Sequence, residues 1–154
     1  MNSGPEHAKA LFDSIFNCAQ SVFSTYAKEY FKDEASALRL ASSFGAGISY
    51  RGETCGAVSG ALMAIGLRYG YSDETMDLAR DVNYMISKEF MDQFEKENGS
   101  LICNRLIGGQ INTPEGLEEA RANDRFKVCP AFVESASVIL EKLFKKYPVE
   151  KLPY

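Results

Sequence analysis

Four cysteines, Cys18, Cys55, Cys103 and Cys129, are the residues of this chain best suited to chemistry. Thiolates act as nucleophiles, as redox groups and as soft metal ligands. The cysteines are 37, 48 and 26 residues apart along the chain, and no Cys-x-x-Cys is present. This spacing excludes a zinc ribbon and a thioredoxin-type motif, and the lack of Cys-x-x-Cys-His argues against covalent haem. The single histidine, His7, is assigned no role.

Three of the four cysteines fall at predicted helix starts. Cys55 follows a Glu-Thr pair, Cys103 lies three residues after a serine, and Cys129 immediately precedes a proline. A helix N-terminus stabilises negative charge. We therefore expect these positions to lower the pKa of a free thiol, or to stabilise the negative charge of an iron–sulfur cluster with its sulfurs. Cys18 is predicted to lie in the middle of the first helix with its sulfur toward the core.

Helical periodicity predicts an all-α bundle of about five or six helices in a single domain spanning residues 1–154. Helix starts and stops are set by capping residues, first-turn prolines and glycines. The predicted helices cover residues 6–31, 33–41, 55–69, 72–98, 113–123 and 129–147, and Asp73-Glu74 is read as a helix first turn. Residues 44–47 and 108–112 are predicted as loops because of their glycines.

The predicted helix over residues 55–69 is unusually rich in small side chains. A glycine costs about 1 kcal/mol relative to alanine inside a helix, so close packing must compensate. Gly56, Gly60 and Ala64 lie four residues apart on one side, where they would admit a neighbouring backbone or a cluster. Gly56 and Gly60 are therefore the predicted cofactor-binding glycines.

Composition and charge limit the partners of the chain. Its 154 residues carry a formal net charge of -4, which argues against nucleic-acid binding. No apolar signal-peptide core opens the sequence, and the longest low-charge run, residues 57–67, is too short to cross a membrane. We therefore expect a cytoplasmic protein. In that compartment thiols are kept reduced, which favours metal ligation or transient redox chemistry over structural disulfides.

The sequence resembles the redox-active family named for its pattern, C_GCAxxG_C_C. Residues 55–60 read Cys-Gly-Ala-Val-Ser-Gly, and Cys18, Cys103 and Cys129 supply the other cysteines of the pattern. The resemblance covers nearly the whole chain and carries over the four cysteines only. It implies a redox role and an association with transporter genes. A related segment occurs in split-Soret cytochromes, whose haem-binding part this chain lacks.

Three functions follow from these residues. All four thiolates could ligate an iron–sulfur cluster for electron transfer or sensing. Alternatively, Cys55 or Cys129 attacks as a thiolate in thiol–disulfide exchange, which would make the protein an enzyme. The third function is a structural zinc site in a helical adaptor for a transporter-associated partner. The expected partners are a redox protein or a second copy of the chain, and the four sulfurs are expected to converge within a cluster's width.

Overall fold

The computed structural model describes residues 3–72 and 76–153, and this part of the chain is helical. No strand occurs within those ranges, where Thr54 and Ile102 form an isolated antiparallel bridge. The all-α prediction is confirmed. None of the described helices has the length and apolar character needed to cross a membrane. The helices are α1 (Gly4–Ser14), α2 (Cys18–Ala27), α3 (Glu34–Ala41), α4 (Gly45–Ile48), α5 (Gly56–Tyr69), α6 (Met76–Asn98), α7 (Cys103–Ile107), α8 (Pro114–Ala122) and α9 (Cys129–Lys146).

The first predicted helix is interrupted, which corrects the placement of Cys18. The chain leaves α1 after Ser14 and begins α2 at Cys18. Asn17 caps α2, because its side chain accepts the Gln20 N–H (3.0 Å) and the Gln20 side chain accepts the Asn17 N–H (3.1 Å). This reciprocal pair satisfies backbone donors that a continuous helix would have bonded internally. Cys18 therefore opens a helix instead of lying in the middle of one.

Most of the other helix starts agree with the sequence. The Asp33 side chain accepts the Ser36 N–H (2.7 Å) at the start of α3, and Thr113 caps α8 in the same way. Helix α5 follows Cys55, and α9 starts at Cys129 with a proline in its first turn. The predicted first turn at Asp73-Glu74 lies outside the described residues.

Helices α2, α5, α6 and α9 enclose the core, in which Phe23, Ile65, Phe90 and Ile139 are almost fully buried. Fully burying such side chains contributes about 1.5–3 kcal/mol each, so this core supplies much of the favourable free energy of folding. Helix α9 ends at Lys146, and the chain closes with a 3₁₀ turn over Val149–Lys151. The cysteines lie at the opposite, N-terminal end of α9.

The small-residue face of α5 packs directly on α2. A Cβ atom added at Gly60 would lie 2.7 Å from the Ala19 carbonyl oxygen, and one at Gly56 would lie 3.0 Å from the Cys18 Cβ. The predicted close approach is therefore to a backbone. Neither glycine is among the residues that line the cysteine cavity, and both have a packing role against α2. Their packing brings Cys18 beside the start of α5.

Candidate functional site

The four cysteines line one cavity of about 310 Å³. All four are buried, with exposed fractions of 9% for Cys18, 4% for Cys55, and 6% each for Cys103 and Cys129. Cys18, Cys103 and Cys129 are the first residues of α2, α7 and α9, and Cys55 is the N-cap of α5. The fold thus brings together all four residues that the sequence singled out, each at the N-terminal end of a different helix.

Main-chain hydrogen bonds hold Cys55 and Cys103 next to each other. The Cys103 N–H donates to the Glu53 carbonyl (2.6 Å), and the Cys55 N–H donates to the Leu101 carbonyl (2.8 Å). These bonds flank the isolated bridge between the two segments. Two cysteines that are 48 residues apart in sequence are therefore positioned by backbone groups alone.

A left-handed turn over residues 46–50, which includes most of the short α4, borders the cavity. The five consecutive residues 46–50 all have positive φ, between 52° and 66°. The Ser49 N–H donates to the Gly45 carbonyl (2.8 Å), which closes one turn of left-handed helix. Each non-glycine residue in this conformation costs roughly 1–2 kcal/mol. The sequence predicted only a glycine-rich loop here, because four of the five residues carry side chains that disfavour the conformation.

The left-handed turn contributes directly to the cysteine site. The Ala46 backbone N–H points at the Cys18 sulfur, where it favours negative charge. A Cβ at Gly47 would lie 2.6 Å from the Cys103 Cβ, so glycine is required for the turn to pass Cys103. Strained backbone persists where the surrounding structure fixes it, and such segments cluster at functional sites. The strained turn places the Ala46 N–H beside the Cys18 sulfur and brings the Gly47 backbone close to Cys103.

Burial raises the thiol pKa values in this site. It raises the pKa of Cys55 to about 12, with a further contribution from Cys18, against the opposing N–H groups of Ala57 and Val58. It also raises the pKa of Cys103 to about 12, again reinforced by neighbouring thiols. The lowered pKa expected at helix starts is therefore not found at these two cysteines, because desolvation outweighs the helix N-terminus.

The thiols of Cys18 and Cys129 interact directly. The Cys129 thiol lies within hydrogen-bonding reach of Cys18, and this contact, followed by burial, raises the pKa of Cys18 well above its ordinary value. In residues 3–72 and 76–153, no three or more His, Cys, Asp or Glu side chains are grouped so that they could hold a metal ion. The four cysteines line one cavity.

The rest of the cavity wall is mainly aromatic and aliphatic. Three polar side chains, Asn17, Tyr50 and Arg121, also line it. The Arg121 guanidinium lies over the Tyr50 ring, 5.8 Å from its centroid. Nothing in the local sequence of α8 distinguishes this arginine from a surface residue. The apolar wall is formed by side chains that include Phe12, Phe16, Leu106, Ile107, Phe126 and Phe132.

One family model matches the chain, over residues 16–143. Its description reads "Putative redox-active protein (C_GCAxxG_C_C)", and the matched range contains all four cysteines. No curated protein and no solved structure matched the chain. The match covers the part of the chain that forms the cavity except α1. The chain therefore belongs to the C_GCAxxG_C_C family of redox-active proteins.

Proposed function

We propose that the four cysteines ligate an iron–sulfur cluster and that the protein transfers or senses single electrons. One observation carries this proposal: four buried thiols, each from the start of a different helix, line a single cavity of about 310 Å³. Four cysteine thiolates are the usual ligand set of such a cluster. When bound, the cluster would supply reversible one-electron exchange.

The backbone around the sulfurs supports this ligand role. The Ala46 N–H points at the Cys18 sulfur, and the N–H groups of Ala57 and Val58 point at the Cys55 sulfur. Donors of this kind stabilise thiolates and the net negative charge of a thiolate-ligated cluster. Four helix N-termini add their partial positive charge at the same place. Neutral thiols do not require such stabilisation. These donors and helix N-termini therefore favour thiolate ligands.

Four cysteines around one cavity of about 310 Å³ fit a cluster better than a single ion. Structural zinc needs its ligands around one atom, and the described residues contain no such group. In an iron–sulfur cluster the four thiolates are distributed over two or more iron atoms, so the ligand sulfurs surround a larger volume than around one ion. The zinc adaptor therefore has the least support of the three candidate functions.

The raised thiol pKa values give cluster binding a defined pH dependence. At neutral pH the thiols of Cys55 and Cys103, with pKa values of about 12, hold their protons in the metal-free protein. Metal ions bind the thiolate, so loading the site must release these protons. Loading should become more favourable as the pH rises from 6 toward 9. This direction is the same for every metal that binds through sulfur.

Thiol–disulfide exchange is a second candidate, favoured by the contact between Cys18 and Cys129. Oxidation by a small disulfide would form one S–S bond between the two cysteines, reduce the small disulfide to two thiols, and transfer both cysteine protons to it. Cys55 is less suited to attack as a thiolate, because burial raises its pKa to about 12. Cys129 remains the attacking residue expected from the sequence.

Anaerobic reconstitution tests the cluster proposal. The protein would be incubated with ferrous iron, sulfide and reductant, desalted, and assayed for iron, sulfide and visible absorption. We expect iron and sulfide in equal amounts, and a large loss of both in each of Cys18→Ser, Cys55→Ser, Cys103→Ser and Cys129→Ser. Ser59→Ala, one turn beyond Cys55 on α5, is the control and should load normally. Full loading in any cysteine variant would falsify ligation by all four cysteines.

Thiol counting separates the second candidate from the first. The metal-free protein would be treated with a small disulfide, and its free thiols would be counted before and after reduction. Exchange predicts the reversible loss of two thiols in the unmodified protein and in Cys55→Ser, and no internal disulfide in Cys18→Ser. A protein that loads no iron and keeps four free thiols under oxidant would contradict both candidates.

A further inference from the structure

Arg121 supplies a positive charge to the wall of the cysteine cavity. We infer that this arginine selects small organic anions for entry, and that the ligand class is a carboxylate-bearing thiol or disulfide. The carboxylate would meet the guanidinium, and the sulfur would meet the cysteines deeper in the cavity. The inference rests on the redox role of the cavity and concerns the metal-free protein, in which the cysteines are not occupied by a cluster.

The charge of Arg121 is available to a ligand. Among the residues that the structure describes, no carboxylate forms an ion pair with it. The nearby Glu119 is occupied by Arg125, whose Nε donates to Glu119 Oε2 (2.8 Å). The other cavity-lining side chains in the described part of the chain are uncharged when the thiols are protonated. An anion entering the cavity would therefore find one uncompensated cation.

The Tyr50 ring gives the guanidinium a fixed position. Arg121 lies 5.8 Å from the centroid of this ring, a cation–π geometry worth about 0.5–1 kcal/mol at an exposed site. The contact with the ring does not occupy the guanidinium N–H groups with an anion, and their planar edge matches a carboxylate with two parallel hydrogen bonds. Tyr50 is the last residue of the left-handed turn, with φ of 65°. The strained left-handed turn thus positions the Tyr50 ring that the Arg121 guanidinium contacts.

The positive charge of Arg121 is opposite in sign to the net charge of the chain. The chain as a whole is negatively charged, with a formal net charge of -4, and so repels anions in general. The side chains that line the cavity beside Arg121 are mainly apolar, so they offer an anion no second charge to bind. A positive site at the cavity would therefore distinguish an anion from a neutral molecule of the same size.

Competitive alkylation tests this inference on the metal-free, reduced protein. Iodoacetate and iodoacetamide attack the same thiolate and have nearly the same size, but only iodoacetate is an anion. Their rate ratio at one pH does not depend on the thiolate fraction. We expect Arg121→Gln to lower the iodoacetate to iodoacetamide ratio about fivefold, as expected for one nearby charge, and Arg121→Lys to keep most of the ratio.

Arg51→Gln is the matched control, because Arg51 follows the same left-handed turn, is exposed, and does not line the cavity. Its ratio should stay close to that of the unmodified protein. An unchanged ratio in Arg121→Gln, an equal fall in Arg51→Gln, or a failure of both reagents to reach the thiols would each overturn the inference. The same ratio is also measured in denaturant, because a variant that has unfolded gives the same ratio with and without denaturant. Failure of the cluster proposal would appear instead in iron content, which does not enter this ratio.

Discussion

Gly60 shows how one side-chain position controls the contact between α2 and α5. A Cβ atom there would lie 2.7 Å from the Ala19 carbonyl oxygen, closer than such atoms approach in proteins. Gly66, on the same helix, has no atom within 4 Å of the equivalent position. The two glycines share one helix and differ only in what surrounds them. They therefore separate the effect of packing from that of helix propensity.

We predict opposite effects on stability when these two glycines are replaced by alanine. Gly60→Ala should lower the free energy of unfolding by about 1–3 kcal/mol, because overpacking against backbone outweighs the gain in helix propensity. Gly66→Ala should raise it by up to about 1 kcal/mol, because propensity acts alone. Urea unfolding followed by circular dichroism measures both. Equal shifts in the two variants would contradict the packing role of Gly60.

At the residue scale, the sequence identified the four cysteines but not their environment. The spacing and the Cys-Gly-Ala-x-x-Gly stretch single them out, and the cavity brings them together. The sign of the pKa shift at Cys55 and Cys103 was not predictable, because burial depends on neighbours that are distant in sequence. Arg121 was missed for the same reason, since its contact with Tyr50 joins segments 71 residues apart.

The left-handed turn over residues 46–50 is the most unusual element of the fold. It is held by hydrogen bonds to the flanking residues: the Ser49 hydroxyl donates to the Ser43 carbonyl (2.9 Å), and the Glu53 N–H donates to the Gly47 carbonyl (3.0 Å). Within the turn, Ile48 is β-branched and has φ of 66°. Branching at Cβ makes this conformation especially unfavourable. Ile48 therefore strains the turn, and a substitution at this residue can relieve the strain.

We predict that Ile48→Gly raises the free energy of unfolding by about 1 kcal/mol, because glycine adopts positive φ without steric cost. Ile48 is 38% exposed, so the change removes only part of its apolar contact. Ile15→Gly is the control: Ile15 is 88% exposed and has φ of -135°. That substitution should leave stability unchanged or lower it slightly. Equal effects of the two changes in thermal or urea unfolding would show that the turn is not strained.

Element boundaries were predictable where local chemistry determines them. Asp33 and Thr113 cap their helices as expected, because an N-cap interaction is local in sequence. The break before Cys18 was missed because Ile15 and Phe16 continue the apolar spacing of α1, although Ile15 is exposed in the fold. The left-handed turn was missed because most of its side chains are intrinsically unfavourable there. The break is fixed by the local capping pair of Asn17 and Gln20, which apolar periodicity does not report.

For the whole molecule, the raised thiol pKa values predict a loss of stability in alkaline solution. Unfolded thiols lose their protons near pH 9, whereas Cys55 and Cys103 in the fold hold theirs up to about pH 12. The folded state therefore binds more protons in this interval, and the free energy of unfolding must fall as the pH rises. The slope contributed by each thiol approaches about 1.4 kcal/mol per pH unit.

Urea unfolding of the metal-free, reduced protein between pH 7 and pH 11 measures this slope. Cys55→Ser should show a shallower decline above pH 9 than the unmodified protein, because serine does not titrate there. Ser59→Ala should keep the original slope, since it removes no titrating group. Identical slopes in the protein with and without the Cys55 thiol would show that this thiol ionises equally readily in both states.

The helical class was predictable at this scale because apolar spacing recurs through most of the chain, as in α5, α6 and α9. Which helix ends meet was not predictable in the same way. The meeting of four N-termini depends on the packing of Gly56 and Gly60 against α2 and on hydrogen bonds between segments that are far apart. The sequence therefore predicts the helical architecture better than it predicts the arrangement of the site.

The backbone pairing that joins Glu53 to Cys103 and Cys55 to Leu101 has a consequence for sequence divergence. Amide and carbonyl groups are common to nearly all residues, so these bonds place no demand on side-chain identity at Glu53 or Leu101. Homologues can exchange such residues while the two sulfurs keep their separation. Only proline, which lacks the N–H, is barred from a donating position. A family built this way would be recognised by its cysteines and glycines, with long tolerant intervals between them.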